Sequence, residues 1–258
     1  MSKVIAITNQ KGGVGKTTTC VNLAASLVAI KRRVLVVDLD PQGNTTMGSG
    51  IDKNALNYSV LDVLTNTIDI AKVIHVKTPA GYDLLPSNSD LTAAEVELIQ
   101  GDQKEARLKI SLRPLHEHYD FILIDCPPSL NMLTVNALAC ANSLLVPMQC
   151  EYYALEGISA LLNTVKLIKN NLNPSLVIEG ILRTMYDPRN SLTNDVSHQL
   201  INHFGELVYR TVIPRNVRLA EAPSHGLPAL IYDKNSRGAV AYLALASEFI
   251  RRQEKSRA

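Results

Sequence analysis

At 258 residues, with 46% apolar and 19% charged side chains, the chain can bury a large core and is too apolar to be disordered in bulk. A formal net charge of +2 excludes wholesale attraction to nucleic acid, so any such role must rest on a local patch. The four cysteines, Cys20, Cys126, Cys140 and Cys150, form neither a CxxC pair nor a zinc spacing. Three of them sit in apolar runs, as small buried side chains do in a reducing compartment.

The chain opens on a strand-like run over residues 4–7 with no basic leader before it, and no stretch reaches the ~18 apolar residues of a membrane span; a cytoplasmic protein is expected. Further short β-branched runs lie at 34–37, 121–124, 144–146, 176–182 and 208–213. They are nearly continuous in apolar residues, the pattern of strands buried on both faces. Amphipathic segments with helical spacing fall between them, over 17–30, 106–116, 155–167, 191–204 and 238–252. This alternation predicts a single α/β domain over 1–258, with a doubly wound, mostly parallel sheet and helices on both faces. The stretch from 48 to 88 is the least regular and is expected to carry short helices, and the charged tail 251–258 is expected to fray. In the last helix Val240, Leu243, Ala246, Phe249 and Ile250 form the stripe expected to face the core.

The decisive segment is Lys11, Gly12, Gly13, Val14, Gly15, Lys16, Thr17 and Thr18, which follows the first strand directly and opens the first helix. Glycines let backbone N–H groups close on phosphate oxygens where a Cβ would intervene, and the helix N-terminus adds partial positive charge. Lys16 is placed to reach β- and γ-phosphates, and the Thr17 hydroxyl to ligate magnesium. Gln10 stands where the strict G-x-x-x-x-G-K-[ST] pattern has its first glycine, and an extra lysine, Lys11, begins the loop. The pattern predicts a P-loop NTPase fold that binds ATP and Mg²⁺.

Two acidic positions extend this reading. Asp125 ends the third long apolar run, where a carboxylate can hold magnesium through a water, and Pro127–Pro128 stiffens the turn after it. Asp38 and Asp40 follow the second run; alternation puts both on one face at the edge where open α/β sheets bind ligands. Capping of the following turn is the simpler role for Asp38.

These segments together resemble the ParA/Soj family of partitioning ATPases, which carry a deviant phosphate loop. The resemblance spans nearly the whole chain. It includes the runs 38–44 (Asp-Leu-Asp-Pro-Gln-Gly-Asn), 124–129, 149–157, 209–218 and 222–226 (Ala-Pro-Ser-His-Gly). It implies a slow, magnesium-dependent ATPase that dimerises on ATP and binds double-stranded DNA without sequence preference. Hydrolysis stimulated by a ParB-type centromere-binding partner resets it, and it works in the nucleoid-associated cytoplasm. By resemblance Lys11 reaches the partner subunit's phosphates and Asp40 orients the attacking water. Thr17 and Asp125 hold magnesium, and Pro214 and Asn216 line the adenine.

For DNA the basic residues of the C-terminal half are candidates, among them Arg183, Arg215, Lys234 and Arg237, with Arg189 and Arg218 foremost by motif match. Two other readings share the same ATP-gated dimer: a regulator of a replication initiator or of transcription, and a MinD-like positioning ATPase. The latter would use a C-terminal membrane helix, whereas the stripe here reads as core packing and no membrane partner is expected.

Overall fold

The computed structural model describes residues 2–94, 98 and 103–255. Among the described residues seven strands form one sheet in the order β3-β2-β4-β1-β5-β6-β7, and every strand pairing in it is parallel. The strands are β1 (Lys3–Ile7), β2 (Val34–Asp38), β3 (Asp83–Leu85), β4 (Phe121–Asp125), β5 (Ser143–Gln149), β6 (Val177–Tyr186) and β7 (Val208–Pro214). The expectation of a mostly parallel, doubly wound sheet is met.

Apolar residues fill both faces of these strands. Val4, Ala6, Leu35, Val37, Ile122 and Ile124 face one core, and Ile5, Ile7, Val34, Val36, Phe121 and Leu123 face the other. The first core is closed by the helices Arg107–Leu112, Met132–Cys140 and Ala154–Asn171. The second is closed by α1 (Lys16–Ala29) and the long C-terminal helix Arg237–Lys255. Burying both faces removes the period-2 polarity of an exposed sheet and makes the strands read as unbroken hydrophobic runs.

Three expectations need correction. The stripe on the last helix is shifted: its core face is Ala239, Tyr242, Leu245, Ala246 and Phe249, whereas Val240 is 54% exposed. The tail does not fray at Arg251, because the helix runs to Lys255; Arg252 stacks over the Tyr209 ring at 3.8 Å and pairs with Glu248 at 2.8 Å. Residues 256–258 lie outside the described residues. Arg183 is buried, its guanidinium donating to Ser197 Oγ at 2.7 Å and to the Tyr209 carbonyl at 2.8 Å, so it braces β6 and β7 and presents no charge to DNA.

The outer strand β7 is bonded to the long C-terminal helix. The Glu248 carboxylate, 6% exposed, accepts from the backbone N–H groups of Arg210 at 2.9 Å and Thr211 at 2.8 Å, and from the Thr211 hydroxyl. Among the described residues no helix is long and apolar enough to cross a membrane.

Candidate functional site

Because all strands run parallel, their C-terminal ends share one edge, and β1 lies between β4 and β5. The loop that leaves β1 therefore emerges beside the acidic ends of β4 and β2, where Ile7 pairs with Asp125 and Asp38 pairs with Asp125 in register.

The loop is shaped by Gly13 and Gly15, with φ of 73° and 88°, and Gly15 stands at the start of α1 without a side-chain cap. The first-turn N–H groups of α1 are left for a ligand, and no acidic side chain occupies that turn. Val14 is buried, and its carbonyl accepts from the Thr184 hydroxyl at 2.7 Å, which ties the loop to the end of β6. Lys16 is 7% exposed and donates to the Lys11 carbonyl at 3.1 Å, so its ammonium bridges the loop from within. Burial lowers its pKa, while the nearby carboxylates of Asp125 and Asp40 act in the opposite sense. Thr18 anchors the helix start, its carbonyl accepting from Asn22 at 2.8 Å.

Asp125 is 1% exposed. Its Oδ2 accepts two hydroxyls, from Thr17 and Thr45, each at 2.7 Å. Its Oδ1 is buried and, among the described residues, has no hydrogen-bond partner. Burial pushes this carboxyl upward, against the two threonine bonds. A buried carboxylate with an orphaned oxygen, beside a threonine hydroxyl and phosphate-binding glycines, suits a hydrated divalent cation. Thr17 and Asp125 are thus brought together as expected, and Thr45 joins them.

Asp38 and Asp40 part company. Asp38 is fully buried and accepts from Thr46 N–H at 2.8 Å, the Thr46 hydroxyl at 2.7 Å and Asp40 N–H at 3.1 Å, the capping role read from sequence. Asp40 is half-buried beyond it, its Oδ1 accepting from Gln42 N–H at 2.9 Å. Helix α2 (Asn44–Gly48) follows and carries Thr45 and Thr46 into this network.

Lys11 is half-exposed and pairs with Glu151 at the exit of β5, beside the exposed Tyr152 and Tyr153. Pro214 ends β7, and Asn216 caps the next helix by accepting from Leu219 N–H at 3.3 Å. The 222–226 run packs under α2: a Cβ on Gly226 would come 2.7 Å from the Gly50 Cα, so no larger residue fits that approach. Arg189 lies well exposed and is held by Asp187 at 2.7 Å, and Arg218 bridges Glu221 at 2.7 Å and Asp233 at 3.3 Å. Both guanidiniums are at the surface with an acid beside them.

Sequence reasoning missed Thr45, Thr46, Ser87, Thr184 and the pairing of Glu151 with Lys11. The motif run 38–44 stops one residue before Thr45 and the run 149–157 contains Glu151, but only the fold brings these side chains to the loop.

A parallel sheet whose central strand runs through a glycine-rich loop into a helix, with carboxylates ending the adjacent strands, defines a P-loop nucleotide-binding protein. Residues 2–178 match the family described as AAA domain. The chain is 53% identical to the sporulation initiation inhibitor protein Soj of Bacillus subtilis, over 96% of this chain and 98% of that one. It is 49% identical to the chromosome partitioning protein ParA of Myxococcus xanthus, over 98% and 89%. A solved structure of cobyrinic acid a,c-diamide synthase from Mycobacterium smegmatis with bound ADP and magnesium superposes with a TM-score of 0.87 at 38% identity, over 99% of this chain and 97% of that one. The chain belongs to the ParA/Soj family of P-loop partitioning ATPases.

Proposed function

We propose that this chain is a magnesium-dependent switch ATPase of chromosome partitioning, which dimerises on ATP and resets on hydrolysis. The observation that carries the reading is the cluster at the sheet edge: Lys16, Thr17 and Asp125 converge on the loop from within while Lys11 stands half-exposed at its outer end. Lys16 and the α1 N-terminus hold the phosphates of the chain's own nucleotide. Lys11 is free to leave Glu151, because a half-exposed ion pair is worth only about 0–1 kcal/mol. It then reaches the phosphates held by a second copy.

Magnesium, held by Thr17 and Asp125, supplies charge neutralisation on the phosphate oxygens. Asp40 orients the attacking water. Pro214 and Asn216 line the adenine, as the resemblance implies. The solved relative bound to ADP and magnesium, with 38% identity, supports the nucleotide and the metal.

In the ATP dimer, Arg189 and Arg218 contact DNA phosphates, which gives sequence-blind, salt-sensitive binding. A ParB-type partner stimulates hydrolysis. The chain works in the nucleoid-associated cytoplasm.

The test is sizing by light scattering in an Asp40→Ala background, which suppresses turnover. ATP with Mg²⁺ is expected to double the mass, ADP to leave a monomer, and Lys11→Ala to block the transition. A monomer under saturating ATP overturns the switch.

A further inference from the structure

No helix or strand fixes the backbone of Asp40. The residue lies in the irregular stretch between β2 and α2, yet its peptide groups are gripped on both sides. Its N–H donates to Asp38 Oδ1 at 3.1 Å. Its carbonyl accepts from Gly43 N–H at 2.9 Å and from the Ser87 hydroxyl at 2.9 Å. Ser87 comes from just beyond β3, 47 residues further along the chain, and is fully buried.

The contacts close into a circuit. Ser87 N–H donates to Thr46 Oγ1 at 2.9 Å, and that hydroxyl donates to Asp38 Oδ2 at 2.7 Å. Asp38 in turn holds the Asp40 N–H. Gly43, with φ of 60°, is pressed against the same segment: a Cβ there would come 2.8 Å from the Ser87 carbonyl oxygen. The turn that presents Asp40 and the brace that holds it are shaped to each other.

We propose that Ser87 is a positioning residue for hydrolysis, fixing the Asp40 carboxylate by clamping the Asp40 carbonyl through a buried circuit with Thr46 and Asp38. The proposal rests on the reading of Asp40 as the group that orients water. A displacement of about 1 Å at such a group can lower the rate about 100-fold, so a brace on its backbone belongs to the chemistry. The hydroxyl is not required to satisfy the peptide, because the Asp40 carbonyl keeps its bond from Gly43 when Ser87 is shortened. Nothing in the folded chain is then left without a partner at that carbonyl, which makes Ser87→Ala a mild change for folding.

The experiment measures ATP hydrolysis at saturating Mg²⁺ for the parent, Ser87→Ala, Asp40→Ala and the double variant, alongside Tm and ATP-driven dimerisation. Ser87→Ala is expected to lower kcat by about 10-fold, with KM and the dimerisation midpoint within about twofold. The double variant is expected to be no slower than Asp40→Ala, since the brace acts only through that carboxylate. Parental kcat in Ser87→Ala overturns the proposal, as does a joint loss of kcat, KM and Tm, or a double variant slower than Asp40→Ala. If Asp40→Ala itself hydrolyses ATP at the parental rate, the reading of Asp40 fails and the proposal falls with it. If Asp40→Ala is inactive and Ser87→Ala is unaffected, only the brace fails.

Discussion

Replacing Gly15 and Gly12 in turn separates the two things a loop glycine supplies, backbone freedom and close approach. Gly15 has φ of 88° and ψ of 29°, and a Cβ there would meet nothing nearer than Thr184 at 3.8 Å, an ordinary contact. The penalty of Gly15→Ala in the free chain is therefore one of backbone conformation, about 1–2 kcal/mol for an L-residue held left-handed. For a chain of this size that corresponds to a fall in Tm of roughly 2–8 °C. If the loop relaxes to escape the strain, its N–H groups turn away from the phosphates, and nucleotide affinity falls by about tenfold or more.

Gly12 is the contrast. It has no positive φ, and among the described residues nothing lies within 4 Å of a Cβ built on it. Gly12→Ala should keep Tm within about 1 °C, so that any loss of affinity reports the approach of ligand to backbone alone. Thermal unfolding without nucleotide, paired with titration of a fluorescent ATP analogue in Mg²⁺, reads both quantities. Parental Tm and affinity in Gly15→Ala would refute the assignment of this loop as a strained phosphate cradle.

The site's division of labour predicts opposite phenotypes for two residues. Lys16→Ala should weaken ATP binding by about 10- to 100-fold, whereas Asp40→Ala should bind normally and lose turnover, as equilibrium binding and phosphate release will show. For DNA, Arg218→Glu should weaken binding to all duplexes alike, leave ATP-driven dimerisation intact and flatten the log–log salt slope by about 0.9 per lost phosphate contact; Arg189→Glu should do so less strongly. A salt titration with random-sequence duplex decides this, and a sequence-selective loss contradicts it. Glu248→Gln should lower stability by about 1–3 kcal/mol at pH 7, since the carboxylate accepts two backbone N–H groups and a hydroxyl. Burial alone would raise the Glu248 pKa, but these bonds and Arg252 hold it below its ordinary 4.5. Its contribution is thus complete above that value and is lost as pH falls through the folded pKa, so urea melts of parent and variant should converge in acid.

The sequence announces the strands wherever both faces are buried, because their apolar runs are unbroken. β3 escapes it: three residues, Asp83–Leu85, lie in an irregular stretch and gain strand geometry only by pairing with β2. Helix Met132–Cys140 escapes for the opposite reason. Leu133, Ala137, Leu138 and Ala139 are all buried, so no polar face marks a period of 3.6. The last helix is legible as a helix, yet its stripe is misread by one position at Val240, since neighbouring stripes on a mostly apolar face look alike.

The phosphate loop is legible because its chemistry is local, residue after residue. Thr45 reaches Asp125 across 80 positions and Ser87 reaches Asp40 across 47, and no local spacing encodes those meetings. Arg183 reads as a surface charge because sequence does not tell a guanidinium facing water from one spent on backbone carbonyls.

The sheet order bears on how the chain comes off the ribosome. β1 is made first, but its neighbours are β4 and β5, with Lys3 beside Phe121 and Ile5 beside Ser143. The nascent phosphate loop must therefore wait for more than a hundred further residues before it has walls, and longer for Thr184, which clamps its Val14 carbonyl. At about 5–20 residues per second the delay is on the order of ten to thirty seconds. Through that interval an apolar strand has both edges open, and nucleotide has no finished site from which to stabilise it. This strand order makes the phosphate loop one of the first segments synthesised, with its walls completed only after β6 has followed.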